Sequence, residues 1–305
     1  MLKIEVNKAA TLHGHKDSVY SIEKDPDQRY IYSAGADGLI VKWDLENPEN
    51  GQLVAKVDNS VYALCYTTYK NKLVVGHNHD GIHLIDISSN EEIGSLNLTK
   101  SAIFDIIEVD NYLFIGDGDG FLIKIDLESF TVSKKSRLSD TRIRTLAYNP
   151  MLKEIAVGCS DHSIKVVCST DLKKKQDINA HNNSVFALQY APDYQYLLSG
   201  SRDAHLKVWD SGNGYKLKES IVAHMYAIND IAFREDGKYF ATCSMDKSIK
   251  IWDSKSFKLL KVIDKGRYAG HGTSVNKLKW VSFNDQLLSA SDDRTISIWE
   301  IYNLP

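Results

Sequence analysis

Four histidines, His15, His181, His224 and His271, each stand 22 residues before an aspartate: Asp37, Asp203, Asp246 and Asp293. A hydroxyl residue stands four positions before each aspartate (Ser33, Ser199, Thr242, Ser289), and a tryptophan six positions after it (Trp43, Trp209, Trp252, Trp299). Histidine, serine and aspartate are the residue types of a hydrolase triad, in which imidazole takes the hydroxyl proton and a carboxylate orients the imidazole. A catalytic set need occur only once. This one occurs four times in fixed register, always with a tryptophan, so the pattern points to architecture and no catalytic residue is assigned.

Two other segments carry residues with ligand chemistry. His77, His79 and His83 crowd around Asp80, and imidazoles at such spacing can bind zinc. A zinc site also needs a fourth ligand or a water and supporting partners. Gly116-Asp117-Gly118-Asp119-Gly120 has the look of a calcium loop but lacks the later bidentate glutamate of an EF-hand. No Gly-rich phosphate loop of the Walker type is present. Cys65, Cys159, Cys168 and Cys243 form no C-x-x-C pair and read as small residues in a reducing compartment. No metal and no cofactor is expected.

Both ligand-like segments fall on a recurring turn. Asp37, His79, Asp119, Asp161, Asp203, Asp246 and Asp293 are spaced by 42, 40, 42, 42, 43 and 47 residues. Short apolar segments such as Val19-Tyr20-Ser21-Ile22 and Val185-Phe186-Ala187-Leu188 open each unit, and a third strand-like run closes it at Trp43-Asp44, Trp209-Asp210, Trp252-Asp253 or Trp299-Glu300. No stretch shows a long helical period. A unit of this kind cannot bury both its faces alone, so neighbours must stack.

This pattern resembles the Trp-Asp (WD) repeat family across nearly the whole chain. The resemblance implies an all-β fold, a seven-bladed β-propeller with four-stranded antiparallel blades, occupying residues 1–305 as one domain. The chain reaches Pro305 five residues after Glu300, so the last blade lacks its outer strand. By resemblance, residues 1–12 supply that strand and close the ring. The family also gives the fourfold set a role. His15, Ser33, Asp37 and Trp43, and their counterparts at 181/199/203/209, 224/242/246/252 and 271/289/293/299, are expected to form a buried hydrogen-bonded chain in each blade.

The remaining units agree with that role. At the histidine, serine and tryptophan slots they carry Val57, Val75 and Ile85, then Thr99, Ile115 and Ile125, then Ser139, Val157 and Val167. The buried serine and the tryptophan become aliphatic together. Losing one partner strands a buried polar group at about 1–3 kcal/mol, whereas replacing both is nearly neutral.

In the family, partners often dock on the face bearing the turns, around the central channel. Tyr20, Tyr62, Phe104, Arg144, Phe186, Asn229 and Asn276 should point there, with Arg142, Arg202, Met245 and Asp292 beside them. The extra residues before His271 add Arg267 and Tyr268. Aromatic and arginine side chains dominate interface hot spots. The expected partner is therefore another protein, a peptide or loop with apolar anchors near blades 1–3 and an acidic or phosphorylated group at the arginines. The bland alternative is that the aromatics only pack on one another around the channel.

Composition narrows the classes. With 43% hydrophobic and 25% charged residues the chain has the balance of a soluble globular protein. A net charge of −3 offers no basic stripe, so direct nucleic-acid contact is not expected. The run Lys173-Lys174-Lys175 reads as a solvated edge. The charged start, Met1-Leu2-Lys3-Ile4-Glu5-Val6, is not a secretory signal, and no apolar run has the length of a membrane helix. A cytoplasmic location is expected, with the nucleus open if the source is eukaryotic. The chain thus reads as a non-enzymatic interaction scaffold. The rivals are a propeller enzyme using acids such as Asp292 at the channel mouth, and a reader of histone tails or nucleic-acid-associated proteins.

Overall fold

The computed structural model describes residues 4–303. Residues 1–3 of the expected closing segment and the end at Pro305 lie outside the described residues. The strands form seven sheets of four antiparallel strands. Blade 1 runs Val19–Lys24, Tyr30–Gly35, Leu39–Asp44 and Gln52–Lys56. Blades 2 to 6 follow the same order, and their opening strands begin at Val61, Ile103, Ile143, Val185 and Ile228. Blade 7 takes Val275–Val281, Gln286–Ser291 and Thr295–Asn303 from the end of the chain and Ile4–His13 from its start. The closing strand therefore reaches one residue beyond the expected 1–12.

Burial explains the strand sequences. Second strands such as Lys72–His77 and Glu154–Cys159 are buried along almost their whole length, because neighbouring blades cover both faces. They read as continuous apolar runs instead of alternating ones, as doubly covered strands do. Fourth strands such as Thr131–Arg137 are exposed and rich in lysine and serine, which blunts the outer edge of each sheet. Seven apolar clusters fill the molecule, and each is shared by two adjacent blades. No blade has a core of its own.

The opening strands of adjacent blades lie against one another around the centre. Some of their side chains tie blade to blade. The backbone N–H of Leu64 donates to Ser21 at 3.2 Å, that of Leu146 to Asp105 at 2.7 Å, and that of Leu278 to Asp230 at 2.9 Å.

Each opening strand also carries one extra residue. The pairing register slips between Val19 and Ser21, and at the same point in all seven blades. The residues left out of the ladder are Tyr20, Tyr62, Phe104, Arg144, Phe186, Asn229 and Asn276. A bulge of this kind re-aims the side chain of its unpaired residue.

Candidate functional site

In blades 1, 5, 6 and 7 the histidine, hydroxyl, aspartate and tryptophan residues are in contact. His181 Nε2 lies 2.7 Å from Ser199 Oγ, Trp209 Nε1 donates to the same oxygen at 2.9 Å, and His181 Nδ1 lies 3.1 Å from Asp203. The corresponding contacts occur around Ser33, Thr242 and Ser289. Because the carboxylate only accepts, His Nδ1–H donates to the aspartate; in the neutral tautomer Nε2 then accepts the hydroxyl proton, and the hydroxyl oxygen accepts the indole N–H. Burial pushes the His15, His181 and His224 imidazoles below their usual range, and the neighbouring aspartate only partly offsets it. Burial alone would raise the Asp203 carboxyl. Donation from His181 and the N–H groups of Asn182 and His205 outweighs burial and holds the carboxyl well below the usual range.

The proton order matches that of a hydrolase triad, but the oxygen is placed differently. All four hydroxyl residues are fully buried, and each oxygen already accepts a tryptophan N–H. A nucleophile must face its substrate, and these oxygens face only the interior of the blade. The network instead ties the loop entering a blade to its second and third strands.

Blades 3 and 4 keep a shortened version that the sequence reading missed. Thr99 and Ser139, in the histidine slot, donate directly to Asp119 at 3.1 Å and to Asp161 at 2.7 Å. In blade 2 the turn is reshaped. His79 takes φ 78° and Gly81 φ 97°, and a Cβ on Gly81 would lie 2.1 Å from the Leu96 carbonyl oxygen. His79 Nδ1 faces the Lys100 carbonyl at 2.8 Å, while His77 and His83 stack with their Nε2 atoms 2.6 Å apart. The three imidazoles do not converge, and among the described residues no group of three or more His, Cys, Asp or Glu side chains is placed to hold a metal.

The Gly116–Gly120 segment has an unusual buried acid. Asp117 Oδ1 accepts from the N–H groups of Asp119 at 3.0 Å and Phe121 at 2.8 Å, whereas Oδ2 is buried without a partner. In blades 5 to 7 the same slot holds Ser201, Ser244 and Ser291, each donating to a loop carbonyl. Burial pushes the Asp117 carboxyl above its usual range. The folded chain then holds this proton more tightly than the unfolded chain, so the group's contribution is most favourable below the unfolded pKa and is lost as pH rises through the folded one. Asp117→Asn keeps the acceptor and adds a donor. It is expected to raise stability at neutral pH by about 1–3 kcal/mol, with the gain shrinking towards about pH 4. Urea melts of both chains across that range test this; a variant no more stable than the parent at neutral pH would count against it.

The bulge residues meet at one end of the channel. Tyr20 and Tyr62 stack at 4.9 Å between ring centroids, Tyr62 and Phe104 lie 5.5 Å apart, and the Arg144 guanidinium sits 4.3 Å from the Phe104 ring and 5.3 Å from Phe186. Asn229 continues the ring by donating to the Val275 carbonyl at 2.8 Å. Asn276 donates to the Val19 carbonyl at 3.0 Å and to Asp292 at 2.7 Å. The seven side chains, with Met245 and Asp292, border a cavity of about 340 Å³. The aromatics are half-buried against each other, so packing around the channel and lining its mouth describe the same residues.

Arg142 and Arg144 also line a groove with His79 and Ser101 across blades 2 to 4. Arg202 is exposed on the turn of blade 5. Burial first, then Arg142 and Arg202, push the Arg144 guanidinium down to about 10, still cationic at neutral pH. Arg267 and Tyr268 do not join this group. Arg267 folds back on Asp264 at 2.6 Å, and Tyr268 packs on the apolar cluster between blades 6 and 7. Asp264 also caps the short helix Lys265–Tyr268. The sequence reading missed Met225 and Tyr226, which are 82% and 61% exposed on the loop entering blade 6. Lys173, Lys174 and Lys175 each pair with a carboxylate: Asp171, Asp177 and Glu154. Among the described residues no helix is long and apolar enough to cross a membrane.

Seven stacked sheets, closed by the chain's own first strand and tied by repeated His-Ser-Asp-Trp contacts, define a repeat-built β-propeller. The "WD domain, G-beta repeat" family model matches residues 7–44, 172–210, 215–253 and 263–300, half of the chain. The chain belongs to this WD-repeat family. The four matched segments end on the third strands of blades 1, 5, 6 and 7, which carry the complete network.

A solved structure, "Crystal structure of WD40 beta propeller domain of Doa1", superposes with a TM-score of 0.86 at 18% identity, covering 97% of each chain. Among curated relatives, the mouse "Periodic tryptophan protein 2 homolog" is 26% identical over 67% of this chain and 24% of its own length. Human "Striatin" is 22% identical over 68% of this chain and 30% of its own. The chicken "Serine-threonine kinase receptor-associated protein" is 30% identical over 66% of this chain and 57% of its own. The chain thus spans from about a quarter to little more than half of the length of these relatives.

Proposed function

We propose that this chain is a non-catalytic platform that binds a peptide or loop of another protein on the mouth end of the ring. The observation that carries the reading is the guanidinium cluster of Arg142, Arg144 and Arg202. Arg29, Arg137, Arg234 and Arg267 each hold a carboxylate. The three mouth arginines, like Arg294 on the turn of blade 7, have no such ion pair among the described residues, but they alone are grouped, and Arg144 bears its charge half-buried between two aromatic rings. An acidic or phosphorylated side chain supplies the missing anion, and paired guanidiniums favour that geometry. The chicken relative's name, which describes it as associated with a kinase receptor, supports protein binding in kind.

The test is capture from a native lysate by the full chain and by an Arg142→Ala, Arg144→Ala, Arg202→Ala variant. The variant is expected to remain folded and lose about tenfold or more of the recovered partner. If it folds as the parent does and retains every partner, this face is not the site.

A further inference from the structure

Blade 6 carries an apolar patch that its neighbours lack. At the two positions after the histidine slot, blade 1 has Lys16-Asp17, blade 5 Asn182-Asn183 and blade 7 Gly272-Thr273, while blade 6 has Met225-Tyr226. Met245, on the turn of the same blade, is 49% exposed. Hydrogen bonds hold the three together. Met225 N–H donates to Asp246 at 3.1 Å, Ser244 Oγ donates to the Tyr226 carbonyl at 3.2 Å, and Met245 N–H donates to the Ala227 carbonyl at 3.0 Å. The patch is therefore displayed on a fixed frame, and its exposure is not the by-product of a loose loop.

Its neighbour on one side is cationic. The loop leading to Met225 hangs on the turn that carries Arg202: Ala223 and His224 both donate to the Ala204 carbonyl, at 3.0 and 3.3 Å. On the other side Met245 borders the mouth cavity that Arg144 also lines. Of the acids around it, Asp203 and Asp246 on the adjoining turns are engaged by His181 and His224, and Asp292 across the cavity lining by Asn276. An apolar surface thus adjoins guanidiniums that lack carboxylates. Methionine side chains adapt to varied apolar shapes, while the arginines require an anion.

We infer that blades 5 and 6 read a segment of a partner protein that carries a large apolar side chain next to acidic groups. The apolar side chain sits on Met225, Tyr226 and Met245, and the acidic group pairs with Arg202. This rests on the platform reading above and adds which sector supplies specificity and what sequence it selects.

The experiment is selection of a random twelve-residue peptide library on phage against the full chain, followed by fluorescence anisotropy of the recovered peptides. Recovered peptides are expected to combine Asp or Glu with a nearby Leu, Met, Phe or Trp. A Met225→Ser, Tyr226→Ser variant and an Arg202→Glu variant should each weaken them about tenfold or more. All the altered side chains are exposed, so unchanged melting controls for folding. Peptides without the acidic-apolar combination overturn the inference. So does a single-stranded oligonucleotide that binds with the same residue dependence. If the Met225/Tyr226 variant binds as the parent while the triple arginine variant does not, the inference fails and the platform reading stands. If both variants bind as the parent, both fail. Remaking the peptides with phosphoserine in place of the acid distinguishes the two anions: tighter binding assigns phosphate, weaker binding carboxylate.

Discussion

A chain shortened by residues 1–12 is expected to lose about 5 kcal/mol or more of stability and to associate in solution. Ile4–His13 pairs along Thr295–Asn303, and Ile4, Val6 and Leu12 are almost completely buried. Burying one such side chain is worth about 1.5–3 kcal/mol, so removing three accounts for that loss before any hydrogen bond is counted. The cut also uncovers the edge of Thr295–Asn303 beyond Thr295, and an unpaired edge is a template for other chains. Ile4 and Val6 contribute to the cluster between blades 6 and 7, and Leu12 to the one between blades 7 and 1. The damage therefore reaches three blades. Urea denaturation and size-exclusion chromatography of the two chains measure it. Superimposable melts, with both chains eluting as monomers, would refute closure by this strand.

Trp209→Ala is expected to cost about 3–5 kcal/mol, the usual penalty for emptying a buried aromatic site. Trp209 packs among Ala180, Leu197 and Tyr215 and also donates to Ser199. Asp203→Ala should cost less, about 1–3 kcal/mol. It removes no core volume but strands His181 Nδ1 and the N–H groups of Asn182 and His205. The order matters more than either value. If Asp203→Ala proves the more damaging, the polar chain and not the indole's bulk holds the blade. If neither substitution moves the melting curve, the network has no stabilising role.

Much of this architecture is legible in the residues because the same side chains return in the same register. The interval from His15 to Asp37 recurs at His181, His224 and His271, each time with the same hydroxyl and tryptophan positions. Blades 2 to 4 are weaker in sequence for a physical reason: once the tryptophan becomes Ile85, Ile125 or Val167, no buried hydroxyl is needed beneath it. The hydroxyls of Thr99 and Ser139 escaped notice because a short side chain reaches the turn aspartate only when the backbone brings it close. The fates of Arg267 and Arg202 differ through local backbone geometry. One has Asp264 three residues away on the same turn of helix; the other has no carboxylate in ion-pair reach among the described residues. Exposure of Met225 and Tyr226 was likewise invisible, since two apolar residues in a loop look the same whether covered or bare.

The unpaired residue in each opening strand has a consequence for how such a ring diversifies. Tyr20, Tyr62, Phe104, Arg144, Phe186, Asn229 and Asn276 take no part in the ladder beside them. A change at these places alters what the opening presents without breaking a ladder bond of the sheet that presents it, although at Asn229 and Asn276 it also removes a bond to the next blade. Recognition can thus drift one sector at a time, as when one key of a lock cylinder is recut while the barrel stays as it was.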